Sequence, residues 1–167
     1  MNSIIHQDLN GILDIINTKG GITISDLNEV DEKGSNALFY SDVNKANFLL
    51  SLGIDANCLN NDNRNALFFS DYLTSITLVG CGVDFYHRDR KGLNIAEFIF
   101  NTYKNENKLI NMKDKIKLCI RLRIDLSDKI HLTETQKKIV RECIEEIILE
   151  DSTKNIIENA LKSRNIS

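Results

Sequence analysis

The sequence has no proline in its 167 residues, so its turns fall to glycine and asparagine, the two residues that enter positive φ most readily. No run of about 18 apolar residues is present, which excludes an ordinary membrane-spanning helix. The first ten residues carry Asp8 but neither lysine nor arginine, and they lack the apolar core of a secretory signal. The expectation is therefore a cytoplasmic protein without a leader. The four cysteines, at 58, 81, 119 and 143, form no CxxC pair. That spacing argues against a zinc site and for reduced thiols that serve packing. The three histidines, His6, His87 and His131, lie in separate segments with no HExxH spacing. There is no GxSxG and no phosphate loop, since Lys19-Gly20-Gly21 reads as a helix stop. No catalytic residue, metal or cofactor is expected, and the chain does not read as an enzyme.

What the sequence does have is a period. Asp31-Glu32-Lys33-Gly34-Ser35-Asn36-Ala37-Leu38-Phe39-Tyr40-Ser41-Asp42 returns as Asn60-Asn61-Asp62-Asn63-Arg64-Asn65-Ala66-Leu67-Phe68-Phe69-Ser70-Asp71, then as Asp89-Arg90-Lys91-Gly92-Leu93-Asn94-Ile95-Ala96-Glu97-Phe98. Gly34, Asn63 and Gly92 recur at one constant interval, and Asn36, Asn65 and Asn94 recur at the same one. A second phrase, Leu49-Leu50-Ser51-Leu52-Gly53-Ile54-Asp55, returns as Leu78-Val79-Gly80-Cys81-Gly82-Val83-Asp84. A fixed period of about 29 residues means stacked supersecondary units.

Local chemistry gives each unit its parts. The Gly/Asn/Gly position is a tight turn, and the asparagine two residues on suits a helix N-cap. Ala-Leu-Phe-Tyr/Phe-Ser then makes a short buried helix. Asp42 and Asp71 cap a second helix whose apolar positions in the first copy are Ala46, Leu49, Leu50 and Leu52, and Gly53 and Gly82 end it. Cys81 stands where the previous copy has Leu52, which points to packing.

These phrases resemble the ankyrin repeat, closely over residues 31–98. A weaker return, Cys119-Ile120-Arg121-Leu122-Arg123-Ile124-Asp125, extends the likeness. The units are shorter than that family's usual length of about 33 residues, and Asn-Ala replaces its Thr-Pro. The shortened form resembles a bacterial variant, which implies a bacterial or prophage origin. The resemblance implies an all-α helical repeat solenoid with short extended turns and helical caps at both ends. It also implies that the turn tips project as fingers over a concave partner surface.

The expected layout is one domain. Residues 1–30 form an N-terminal cap, with Leu9, Ile12, Leu13, Ile15 and Ile16 as its helical stripe and Ile22 to Val30 as an extended return. Residues 31–59 and 60–88 are the first two repeats. Residues 89–130 are a third, made longer than the others by a polar insertion at 101–111. Residues 131–167 are a C-terminal cap of two helices. The capping box Thr133-Glu134-Thr135-Gln136 opens the first. Asp151 or Ser152 caps the second, with Ile156, Ile157, Ala160 and Leu161 inward.

Residues that recur with the period serve the frame, so function belongs where the copies differ. Those positions are Glu32, Lys33 and Ser35, then Asp62 and Arg64, then Arg88, Arg90, Lys91 and Leu93. They are the expected partner-binding residues, with Arg64, Arg88 and Arg90 as the anchors. Charge is uneven. Residues 1–100 hold 7 basic and 13 acidic residues, net −6, and residues 101–167 hold 14 and 11, net +3. Lys104 to Arg123 is a basic cluster with a nucleic-acid-binding alternative, disfavoured by the chain's net charge of −3. The favoured function is a monomeric, non-enzymatic module that binds one specific protein. Candidates are an immunity protein against a toxin or a blocker of a host defence protein. The alternative is a secreted effector or a regulatory subunit that recruits a larger partner.

Overall fold

Helix starts follow the caps that the sequence supplies. Asp8 opens α1 (Leu9–Lys19), its carboxylate accepting from the Gly11 amide, and Gly20 closes it at φ 73°. Ile12 and Ile15 are buried, whereas Leu13 faces solvent. Residues 22–30 are not simply extended. Thr23 and Asp26 cap each other reciprocally and hold a single turn, α2 (Ile24–Leu27), so a local capping box overrides the loose alternation.

The computed structural model describes residues 3–125 and 131–164, with Ile157 and residues 160–164 described by their backbone alone. The described residues are helical with connecting turns and contain no strand. Two compact units divide them, Met1–Ile99 and Phe100–Ser167.

In the first unit the hydrogen bonds recur with the period of the sequence. Each turn closes the same way: Gly34 N donates to Asp31 O, Asn63 N to Asn60 O, and Gly92 N to Asp89 O. Asn63 sits at φ 59°, matching Gly34 and Gly92 at 76°. Single 3₁₀ turns follow at Ala37–Tyr40 and Ala66–Phe68. They stop early because Asp42 and Asp71 already cap the next helices, α3 (Val43–Ser51) and α4 (Tyr72–Gly80), through the Lys45 and Thr74 amides. In the third copy the helix runs on as α5 (Ile95–Thr102), which ends in the second unit.

The repeated asparagine links as much as it caps. Asn36 and Asn65 donate to the carbonyls of Asp55 and Asp84, 19 residues ahead. Asn36 also accepts from Leu38 N, but the expected cap by Asn65 is not made, and its Oδ1 is buried without a partner. Ala37, Leu38, Phe39, Ala46, Leu49, Ala66, Leu67, Phe68 and Leu78 form the core, while Leu50 is only half-buried. Lys45 is buried too. Its ammonium donates to Ile5 O and so holds the N-terminal residues Ile4 and Ile5 against the unit, and burial lowers its pKa.

Cysteine placement departs from expectation at one site. All four thiols are free, Cys119 and Cys143 are buried and Cys58 is half-buried, but Cys81 is exposed and so contributes little packing. It directly follows the last turn of α4, ahead of the positive-φ Gly82. Burial pushes the Cys119 thiol up to about 12, far from reactive thiolate.

The second unit holds α6 (Glu106–Ile110), α7 (Lys113–Arg121) and α8 (Glu134–Arg164). The polar insertion is therefore partly helical, with Asn105 capping α6. The weak fourth return keeps the backbone of its predecessors: Ile124 N donates to Cys119 O as Val83 N does to Leu78 O and Ile54 N to Leu49 O. Arg123 takes the positive φ of 54° that glycine takes at 53 and 82. Residues 126–130 of the extended repeat and 165–167 of the cap lie outside the described residues.

The C-terminal pair of helices is one helix. Ser152 and Thr153 do not cap; their hydroxyls bond back to Ile148 O and Leu149 O, which lets the helix pass through. Ile156, expected inside, is exposed. The inward placement of Ile157, Ala160 and Leu161 lies outside the described side chains. The capping box that starts α8 is present, and Gln136 also reaches Phe100 O.

Along α7 and α8 runs a ladder of ion pairs. Lys113 meets Glu142 and Glu146, Lys117 meets Glu146 and Glu150, and Arg121 meets Glu150 and Asp151. Hydrogen bonds from Lys113 and Lys117 hold the Glu146 carboxyl at about 2, and those from Lys117 and Arg121 lower Glu150. A depressed carboxyl contributes stability that is fully present above its unfolded value and is lost as pH falls through its folded one. The second unit is thus expected to lose stability between about pH 4.5 and about pH 2. Helicity melts across that window check this, with Glu146→Gln flattening the acid limb.

Candidate functional site

The turns build three fingers, each stiffened from within. Asp31 Oδ1 accepts from Lys33 N and Ser35 N, Asn60 Oδ1 from Asp62 N and Arg64 N, and Asp89 Oδ1 from Lys91 N and Leu93 N. Neighbouring fingers are bonded to each other: Asn61 N donates to Lys33 O and Arg90 N to Asp62 O, both at 2.8 Å. Asn63 adds a side-chain bond to Arg88 O. His87 is half-buried, with Nε2 2.8 Å from Asn63 O, so it braces this joint. The row of tips is a preorganised surface.

The expected partner residues divide in two. Glu32, Lys33, Asp62, Arg90 and Lys91 are exposed at the tips. Ser35 is buried and Leu93 half-buried. Arg64, expected to be an anchor for a partner, is an anchor for the fold. Its side chain is 13% exposed, and Nε and Nη2 donate to the buried Asp89 Oδ2 at 3.0 and 2.8 Å. Its Nη1 reaches Asp62 at 3.1 Å, and its guanidinium carbon lies 4.6 Å from the centre of the Phe98 ring. Arg88, though exposed, is also held, donating to Gly92 O and to the buried Glu97. Ser35, Arg64 and Leu93 share one repeat position. It faces inward whatever residue occupies it.

Between the first two fingers opens a groove of about 480 Å³. Glu32, Lys33, Asn61 and Asp62 line it, with Phe39, Tyr40 and Phe69 among its apolar walls. Phe39 and Phe68 are buried, as aromatic rings at that spacing usually are, but Tyr40 and Phe69, one residue further on, are exposed. The expectation that the short helix is buried through that second position is not met. The tyrosine there in the first copy was the available signal, since its hydroxyl wants a polar partner and finds Asp31.

The basic stretch from Lys104 to Arg123 is largely spent. Lys113, Lys117 and Arg121 are in the ladder and Lys115 is buried. Among the described residues no three His, Cys, Asp or Glu side chains converge as a metal site, and no helix is long and apolar enough to cross a membrane.

No family model matches the chain, and no curated protein does. Among solved structures it is similar in fold to a chain of the Bdellovibrio bacteriovorus predatory endopeptidase Bd0816 in complex with the immunity protein Bd3460. The identity is 17% and the TM-score 0.52, over 86% of this chain and 79% of that one.

Proposed function

We propose that this chain is an ankyrin-type, non-enzymatic binding module of bacterial or phage origin that inhibits one enzyme stoichiometrically, as an immunity protein does. The observation that carries this is the locked row of fingers, whose exposed, non-periodic charges flank an open aromatic groove. A frame ordered before binding loses little freedom on association, so its tips discriminate well. Three fingers suffice for about 800 Å² on each partner, a standard specific interface. The likeness in fold to a chain from a complex of an endopeptidase and an immunity protein supports the same role. Its place of action is the cytoplasm, where free thiols persist. The ion ladder leaves little free basic surface for nucleic acid.

The test is titration, against its own activity, of the enzyme recovered with this chain by pull-down from the source organism. Activity is expected to fall linearly to an equivalence point at one inhibitor per enzyme. The double variant Arg90→Glu/Lys91→Glu is expected to weaken the complex at least tenfold, about 1.4 kcal/mol, with an unchanged melting temperature. Turnover of any substrate by the chain alone contradicts the proposal, as does full binding by the variant.

A further inference from the structure

The repeat supplies an internal control for its own groove. Tyr40, Phe69 and Phe98 occupy one position in three successive copies. Tyr40 is engaged through its hydroxyl on Asp31. Phe98 is buried beneath the Arg64 guanidinium. Phe69 is 48% exposed. The difference has a cause one repeat back. The residue equivalent to Arg64 is Ser35, too short to cover the ring, and the equivalent of Asp89 is Asn60, which has no charge to hold a guanidinium. The second ring thus holds the repeat position of the third without its cation. It is held in place by a tilted contact to Phe39 and an edge contact to Phe98, with centroids 5.8 and 5.9 Å away.

Resting on the inhibitor reading, we infer that the groove between the first two fingers receives an arginine side chain of the protein partner, stacked on Phe69. A planar guanidinium stacks on an aromatic face and forks to carboxylates, whereas an ammonium does not. Glu32 and Asp62 on the rim supply carboxylates, Asp62 already meeting Arg64 Nη1, and Lys33 and Arg64 are the opposing charges. The surroundings favour a cation, because residues 1–99 hold 13 acidic against 7 basic residues. Pairing within the unit takes up both signs, Arg64 and Arg88 with Asp62, Asp89 and Glu97, and the acidic excess remains. The partner therefore presents an arginine-bearing protrusion to an aromatic receiver set in an acidic unit.

The experiment needs no partner. Blocked Gly-Arg-Gly and Gly-Leu-Gly peptides are titrated into protein labelled at phenylalanine, and the Phe69 ring is followed by NMR. Saturable binding in the millimolar range is expected for the arginine peptide, at least about fivefold tighter than for the leucine peptide. Ser35→Arg builds into the first interface a residue that the second already accommodates, and it is expected to abolish that binding. Asp62→Asn is expected to weaken it and Lys33→Glu to tighten it. Equal binding of both peptides, no response at Phe69, or undiminished binding by Ser35→Arg and Asp62→Asn together overturns the inference. A negative result here leaves stoichiometric inhibition standing. Loss of inhibition with peptide binding intact removes only the inhibitor reading.

Discussion

Arg64→Ser is expected to destabilise the first unit by about 3–5 kcal/mol, the cost of leaving a buried carboxylate unpaired. The Asp89 side chain has no exposed surface, and besides Arg64 its bonds come from two backbone amides, Lys91 N and Leu93 N. Only Arg64 neutralises its charge among the bonds seen. The variant also uncovers Phe98. The second half of the cycle is built into the molecule. Asn60 takes the place of Asp89 one repeat earlier, accepts the equivalent two amides, and faces Ser35 rather than arginine. Arg64→Ser/Asp89→Asn therefore recreates a pairing the fold already uses, and most of the loss is expected to return. Denaturant melts of the two single variants and the double variant measure the coupling. Single-variant losses below about 1 kcal/mol would mean that Arg64 is a surface residue after all.

Leu67→Ala is expected to cost about 2–5 kcal/mol, because the side chain is 1% exposed in a turn whose neighbours Ala66 and Phe68 are also buried. The 3₁₀ turn is pinned by bonds from Phe68 N to Asn65 O and Phe69 N to Ala66 O, which leaves little room to collapse around the hole. Leu50→Ala, at a half-buried position, is expected to cost clearly less. Equilibrium unfolding monitored by helicity separates the two. Equal losses would contradict the assignment of the core.

What was legible in the sequence was local chemistry repeated at a fixed interval. Turn glycines, the Asn63 turn and the Asp42 and Asp71 caps follow from short-range rules, and the structure holds each of them, whereas the short helix expected to be buried through Tyr40 and Phe69 is buried over its Ala-Leu-Phe and opens at those two rings. The failures share a different origin. Arg64 and Arg90 both read as tip cations, but one sits at the inward-facing position and finds its counter-charge 25 residues away. Lys113, Lys117 and Arg121 read as part of a basic cluster without partners of their own because those partners lie some thirty residues further on, in α8. Asp151 and Ser152 are ambiguous in sequence, since a serine that caps a helix also tolerates its interior by bonding back to the fourth residue before it. At the site, the five exposed tip residues were legible as differences between copies. The groove was not, because Phe69 becomes open only through the smallness of Ser35 in the neighbouring repeat.

The central claim is that the finger row is the surface that holds a partner enzyme. Hydrogen exchange of the chain, alone and bound to the enzyme recovered with it, tests that claim most directly. Slowed exchange is predicted at residues 32–35, 61–64 and 90–93, with residues 113–121 unchanged. Protection confined to residues 104–123 or to α8, with the three tips unaffected, would contradict it.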